Sequence, residues 1–208
     1  MQSNKNSDKR RYAIYGGSFD PIHNGHVALA DAAVRQCGLD ELIFMPAFIS
    51  PFKQNRKVTD GIDRVHMIEA CLDVNPAFSV SDYELLKGGP SYTVETLRHF
   101  RDTVDGQLCF VLGFDSVIQL DMWYHGKEIL TDYPLITVKR PHTDDIEGMH
   151  IVEMFRREYN SDITVLDMPP VDASSTLIRR RIKNGEPISD MVHPGVEEYI
   201  IKHDLYKD

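Results

Sequence analysis

At 208 residues with 42% hydrophobic content, the chain can bury one good core, with little left over for a second full domain. A formal net charge of −9 excludes a broad nucleic-acid-binding face, and no apolar run approaches the roughly 18 residues of a membrane-spanning helix. Three widely spaced cysteines, Cys37, Cys71 and Cys109, fit no metal-ligand spacing and lie in apolar stretches, which points to small buried thiols in a reducing, cytoplasmic setting.

Met1 to Arg10 is polar and charged, without an apolar h-region, and reads as a frayed tail rather than a signal peptide. Tyr12 to Tyr15 reads as a short buried strand that runs into Gly16-Gly17; Val27, Ala30, Val34 and Cys37 then recur at helical spacing up to Gly38. Leu42 to Met45 is the second strand, followed by a loop through Pro51-Phe52-Lys53 and a helix carrying Ile62, Val65, Ile68 and Leu72. Phe78 to Val80 is a short strand, and Tyr92-Thr93 leads into a helix with Val94, Leu97 and Phe100. Leu108 to Leu112 is the clearest central strand, Leu135 to Val138 another, Met149 to Tyr159 a helix and Ile163 to Leu166 the last strand. From about residue 174 the strand signal fades into a basic helix with Ile178 and Ile182, then a segment from Val196 to Ile201 that mixes apolar and acidic residues. This alternation predicts an α/β fold: a doubly wound, Rossmann-like parallel sheet with helices on both faces and a small helical C-terminal part, residues 11–208 forming one unit. Ligands of such sheets bind beyond the carboxyl ends of the strands, so the loops after Tyr15, Met45, Leu112 and Leu166 are expected to converge on one crevice.

Two constellations carry chemistry. The first runs from Gly16-Gly17-Ser18-Phe19-Asp20 through His23 to His26, between a strand and a helix start. It is neither a Walker A loop nor a GxGxxG fingerprint. Glycines let a backbone approach phosphate closely, and a helix N-terminus offers free N–H donors with about half a positive charge. With the second histidine in the first helical turn, both imidazoles reach one spot above that terminus. A zinc pair is the competing reading, but it lacks a suitably placed third ligand. The second constellation, Ser174-Ser175-Thr176-Leu177-Ile178-Arg179, combines N-capping hydroxyls with an arginine one turn in, which suits a polyphosphate.

The pair GG-x-FDP-x-H-x-GH and SST-x-IR resembles the nucleotidyltransferase superfamily with the HxGH signature. The stretch Gly89-Pro90-Ser91-Tyr92-Thr93-Val94-Glu95-Thr96-Leu97 narrows the resemblance to the pyridine mononucleotide adenylyltransferases, and within them to the bacterial nicotinate-nucleotide enzymes. Trp123-Tyr124 and Arg140 also match, so the likeness runs from about Tyr12 to Tyr206.

That resemblance implies transfer of the adenylyl group of ATP to nicotinate mononucleotide, with Mg2+ accompanying ATP. It implies catalytic roles for His23, His26 and Arg179. For ATP it implies Gly16, Gly17, Ser18, Phe19, His26, Gly113, Asp115, Ser175, Thr176, Ile178 and Arg179; for the pyridine nucleotide, Lys53, Tyr92, Thr93, Trp123, Tyr124 and Arg140. No resident protein-bound metal, nucleic acid or membrane is expected as a partner, and a homo-oligomer is compatible with the sequence. Four positions depart from the family pattern: Phe52 where His is common, Glu95 for Asp, Phe114 for Ala and Ala173 for Ile. Preference for nicotinamide mononucleotide, another acceptor, or nucleotide binding without turnover are the rival readings.

Overall fold

The structure is a computed structural model that describes residues 9–49, 58–138 and 146–207. Lys53 and Arg140, with Phe52, lie outside the described residues. In chain order the elements are β1 (Arg10–Gly17), α1 (Asn24–Cys37), β2 (Glu41–Pro46), α2 (Gly61–Glu69), β3 (Phe78–Val80), α3 (Tyr83–Lys87), α4 (Thr93–Arg101) and β4 (Gly106–Val111). They continue with α5 (Phe114–Val117), α6 (Gly126–Asp132), β5 (Leu135–Val138), α7 (Ile146–Tyr159), β6 (Ile163–Leu166), α8 (Ser175–Lys183) and α9 (Pro194–Lys202).

Among the described residues the strands form one parallel sheet in the order β3-β2-β1-β4-β5-β6. Both faces are covered, so its central strands are apolar on successive residues rather than alternately polar. The pleat divides them: Ala13 and Tyr15 of β1 face one core, built with Leu29 and Ala30 of α1, Met67 and Ile68 of α2, Ile178 of α8 and Ile200 of α9. Tyr12 and Ile14 face the other, built with Leu97 of α4, Ile129 of α6 and Phe155 of α7. The strand order reverses between β1 and β4, and there a doubly wound sheet opens a crevice.

The predicted strands are all present, as is the expected architecture. Helix α1 stops where Gly38 adopts the left-handed conformation at φ 60°, and Pro194 begins α9 at a position where its missing N–H costs nothing. One detail of the periodicity is corrected. Ile62, expected on the buried face of its helix, is 55% exposed, whereas Arg64 of the same helix is 2% exposed. A guanidinium is buried there because its donors are used: Nε donates to Thr59 O and Nη1 to Ser18 O, both at 2.9 Å. The helix also ends at Glu69, and Leu72 belongs to a separate 3-10 turn, Leu72–Val74. The cysteines are free and buried, and burial pushes the Cys71 thiol up to about 12, which keeps it protonated.

Candidate active site

Two neighbouring regions lie at the carboxyl edge of the sheet. One is a tightly packed polar corner where the N-termini of α1 and α8 meet; the other is an open cleft between the ends of β1 and β4.

The corner begins with the turn after β1. Gly17 is required because a side chain there would lie 2.8 Å from the ring of Phe19, which is buried beneath the loop against Tyr15 and Phe44. His23 is the N-cap of α1 and His26 lies in the helix's first turn; their rings stack at 3.7 Å. The His23 backbone N–H donates to His26 Nδ1 at 3.3 Å, which reaches back as a capping-box side chain does. Gly25 leaves room for this stack, since a Cβ there would meet the His23 ring at 3.1 Å. Burial pushes the His23 imidazole down to about 4, so at neutral pH it is uncharged, and among the described residues its buried Nδ1 has no hydrogen-bond partner.

Helix α8 comes to the same corner. Ser174 caps it by accepting from Leu177 N–H at 3.2 Å, while the Ser175 hydroxyl donates to Pro21 O at 3.0 Å. Arg179 donates through Nη1 to Asp20 O and through Nη2 to Thr176 Oγ1, the latter at 3.1 Å. Its Nη1 also lies 3.9 Å from Asp20 Oδ2. Asp20 is 4% exposed, and Tyr206 OH donates to its Oδ1 at 2.8 Å. Burial and the Asp20 carboxylate raise the Tyr206 phenol well above its ordinary value, so it remains a donor. The corner therefore concentrates nitrogen and hydroxyl donors, a set suited to phosphate oxygens.

The cleft encloses about 300 Å3. Gly16, Gly17 and Ser18 line it, as do Gly113, Asp115 and Ser116 at the start of α5. Tyr92 and Thr93, at the start of α4, close one end with Trp123 and Tyr124. The Tyr92 and Tyr124 rings are 4.6 Å apart, and Tyr124 is 53% exposed. Trp123 is half-buried against the second core, so its ring has both a packed side and an accessible one. A slot with aromatic walls and a helix N-terminus at one end can take a flat heteroaromatic ring bearing an anionic group.

The structure thus brings together, across the two regions, the expected residues that it describes, with two qualifications. The side chain of Ile178 is fully buried and its N–H donates to Ser174 O at 3.0 Å, so it anchors α8 to the core and offers a ligand no contact. Phe19 is 1% exposed and supports the loop from below. The loops after β1, β2 and β4 reach the cleft, whereas the segment after β6 leads to the corner instead.

Three of the four departures from the family pattern lie within the described residues. Phe114 turns into the second core at 3% exposure, Glu95 pairs with Lys87 on the surface, and Ala173 packs on the first core. Sequence reasoning missed Asp20, Arg64, Glu84 and Tyr206 as contributors to the site. Asp20 stood inside the motif, but the other three carry no local signal.

The cytidylyltransferase-like family matches residues 14–181. Relatives named as probable nicotinate-nucleotide adenylyltransferases come from Caldicellulosiruptor saccharolyticus, 36% identical with 95% of this chain and 100% of the relative covered, and from Clostridium botulinum, 38% identical with 96% and 99% covered. The fold is shared with the nicotinic acid mononucleotide adenylyltransferase of Plasmodium falciparum solved in complex with NaAD. That likeness has a TM-score of 0.77 at 21% identity and covers 95% of this chain and 97% of the other.

Proposed function

The chain belongs to the cytidylyltransferase-like family, and from that premise we propose how its residues carry out adenylyl transfer from ATP to nicotinate mononucleotide. The products are nicotinate adenine dinucleotide and pyrophosphate, a step of NAD biosynthesis. The observation that carries the assignment of roles is the adjacency of a donor-rich corner and an aromatic-walled cleft at the strand-order reversal.

A 5′-phosphate oxygen of nicotinate mononucleotide forms a bond to the α-phosphorus of ATP as the bond from that phosphorus to the bridging β-oxygen breaks, and pyrophosphate departs with the bonding pair. The attacking phosphate is already ionised at neutral pH, so no general base is needed and the chain's task is positioning and charge stabilisation. His23, His26 and Arg179 hold the phosphates, with Ser175 and Thr176 at the mouth of α8. Because His23 is neutral before ATP arrives, its first contribution is an N–H donor rather than a cation. Gly113 and Asp115 meet the adenosine, while Trp123, Tyr124, Tyr92 and Thr93 hold the pyridine ring, its carboxylate directed to the N–H groups that open α4. Lys53 and Arg140 are assigned to the same substrate. The corner's donor set fits phosphate and, among the described residues, supplies no cluster of carboxylates for a metal, so Mg2+ would come as an ion accompanying ATP and would supply charge neutralisation. Residues 11–208 act as one unit with its helical part from about 174, and a cytoplasmic setting suits the free cysteines.

The test is pyrophosphate release with ATP and Mg2+, offering nicotinate mononucleotide, nicotinamide mononucleotide or phosphopantetheine at equal concentration. The nicotinate form is expected to be turned over fastest. Faster turnover of the amide would remove the assignment of an anion site at α4, and pyridine-independent release would remove the substrate assignment.

A further inference from the structure

Glu84 of α3 is 7% exposed and lines the cleft, yet the reaction has no step for a buried carboxylate there. Its surroundings explain its presence. Thr96 Oγ1 of α4 donates to Glu84 Oε1 at 2.6 Å, and the nearby Ser91 hydroxyl favours the ionised form of the same carboxylate. Ser91 Oγ also accepts the Phe48 backbone N–H at 2.9 Å, and the Ser91 N–H donates to Ile49 O at 2.9 Å. Ile49 and Pro90 form a parallel bridge at the same place. One residue back, the Ala47 N–H donates to Gly17 O at 2.9 Å, which ties this strand of loop to the phosphate-side turn. Hydrogen bonds therefore join the turn after β1, residues 47–49 and Ser91, and Ser91 stands beside Glu84, which in turn holds the first turn of α4. Tyr92 and Thr93 lie between these two hydroxyl residues in the chain.

We propose that Glu84 is a positioning residue for the pyridine mononucleotide: by holding Thr96 while standing beside Ser91, its carboxylate sets where Tyr92, Thr93 and the N-terminus of α4 stand in the cleft. The proposal rests on the reading of the cleft's end as the pyridine site. A carboxylate suits the task because its two oxygens offer acceptor sites toward Thr96 and Ser91 alike. Burial pushes the Glu84 carboxyl above its ordinary range, and the Thr96 and Ser91 hydroxyls, with Lys87 and Arg64, oppose that shift.

The experiment compares wild type, Glu84→Gln, Ser91→Ala and the double variant by steady-state pyrophosphate release, with thermal unfolding alongside. Glu84→Gln keeps the volume but has only one acceptor oxygen. It is expected to raise KM for nicotinate mononucleotide about three- to tenfold, the effect of one hydrogen bond, while KM for ATP and kcat move less. Ser91→Ala should do the same, and the double variant should be little worse than either single one, because both weaken the same support of α4's N-terminus. A lowered Tm with an unmoved KM for the pyridine nucleotide overturns the proposal, as does equal loss for both substrates or full additivity of the two substitutions. Should Glu84→Gln fail to fold, Ser91→Ala alone still decides by the same split. A wild-type enzyme that ignores nicotinate mononucleotide in this assay overturns the substrate reading first, which separates the two failures.

Discussion

The corner and the cleft solve different problems with the same sheet edge. In the corner, polar side chains are deeply packed and already paired: Asp20 is held by Tyr206 and Arg179, and His23 stacks on His26 with its Nδ1 buried. In the cleft, Tyr124 and Asp115 are exposed and the walls are aromatic faces and backbone. Phosphoryl transfer needs donors fixed before the charge moves, because reorganising them during the reaction would raise the barrier. Recognition of a flat ring needs area and a rim of hydrogen-bonding groups, and it tolerates exposure until the ring itself covers the walls. Preorganisation is therefore concentrated where charge develops.

The contrast is broken most severely by His26→Ala. Loss of one preorganised donor should lower kcat by about 10²–10³ with nicotinate mononucleotide saturating, and KM for that substrate should change little. Turnover near the wild-type level would remove His26 from the phosphate clamp.

A smaller effect distinguishes the buried corner thermodynamically. The native His23 imidazole titrates near 4, below its ordinary 6.5, so the unfolded chain binds the extra proton first. Stability from this group is complete above about pH 6.5 and is lost as pH falls toward 4, amounting to roughly 2 kcal/mol at pH 5. Thermal unfolding of wild type and His23→Gln at pH 7 and pH 5 checks it: the wild type should lose more on acidification than the variant. Parallel losses would mean that His23 is already solvated.

The smallest effect sharpens the cleft's side of the comparison. Trp123→Ala should raise KM for nicotinate mononucleotide about tenfold through lost ring contact, with KM for ATP nearly constant. A matching rise for ATP would place Trp123 between the two substrates rather than at the pyridine end.

How much of this was legible in the sequence depended on chain distance. His23 and His26 are three residues apart, and helical geometry alone brings such a pair onto one face. The strands were legible because a sheet covered on both faces demands short continuous apolar runs, and Tyr12 to Tyr15 and Leu108 to Val111 supply them. Arg64 misled the helical periodicity, since a buried guanidinium reads as polar surface until its carbonyl partners are known. Glu84 was invisible for a similar reason: its partner Thr96 lies on the next helix, and no spacing rule relates them.

By itself the sequence determined the alternating α/β architecture, the loop-to-helix histidine pair and the hydroxyl–arginine helix start, because each follows from interactions among residues close in the chain. Only the tertiary structure decided that Tyr206 holds Asp20 across 186 residues, that Ile178 is an anchor rather than a contact, and that Glu84 stands behind the cleft. Those assignments depend on which buried polar atoms find partners after the chain has folded, a condition satisfied in space rather than along the sequence.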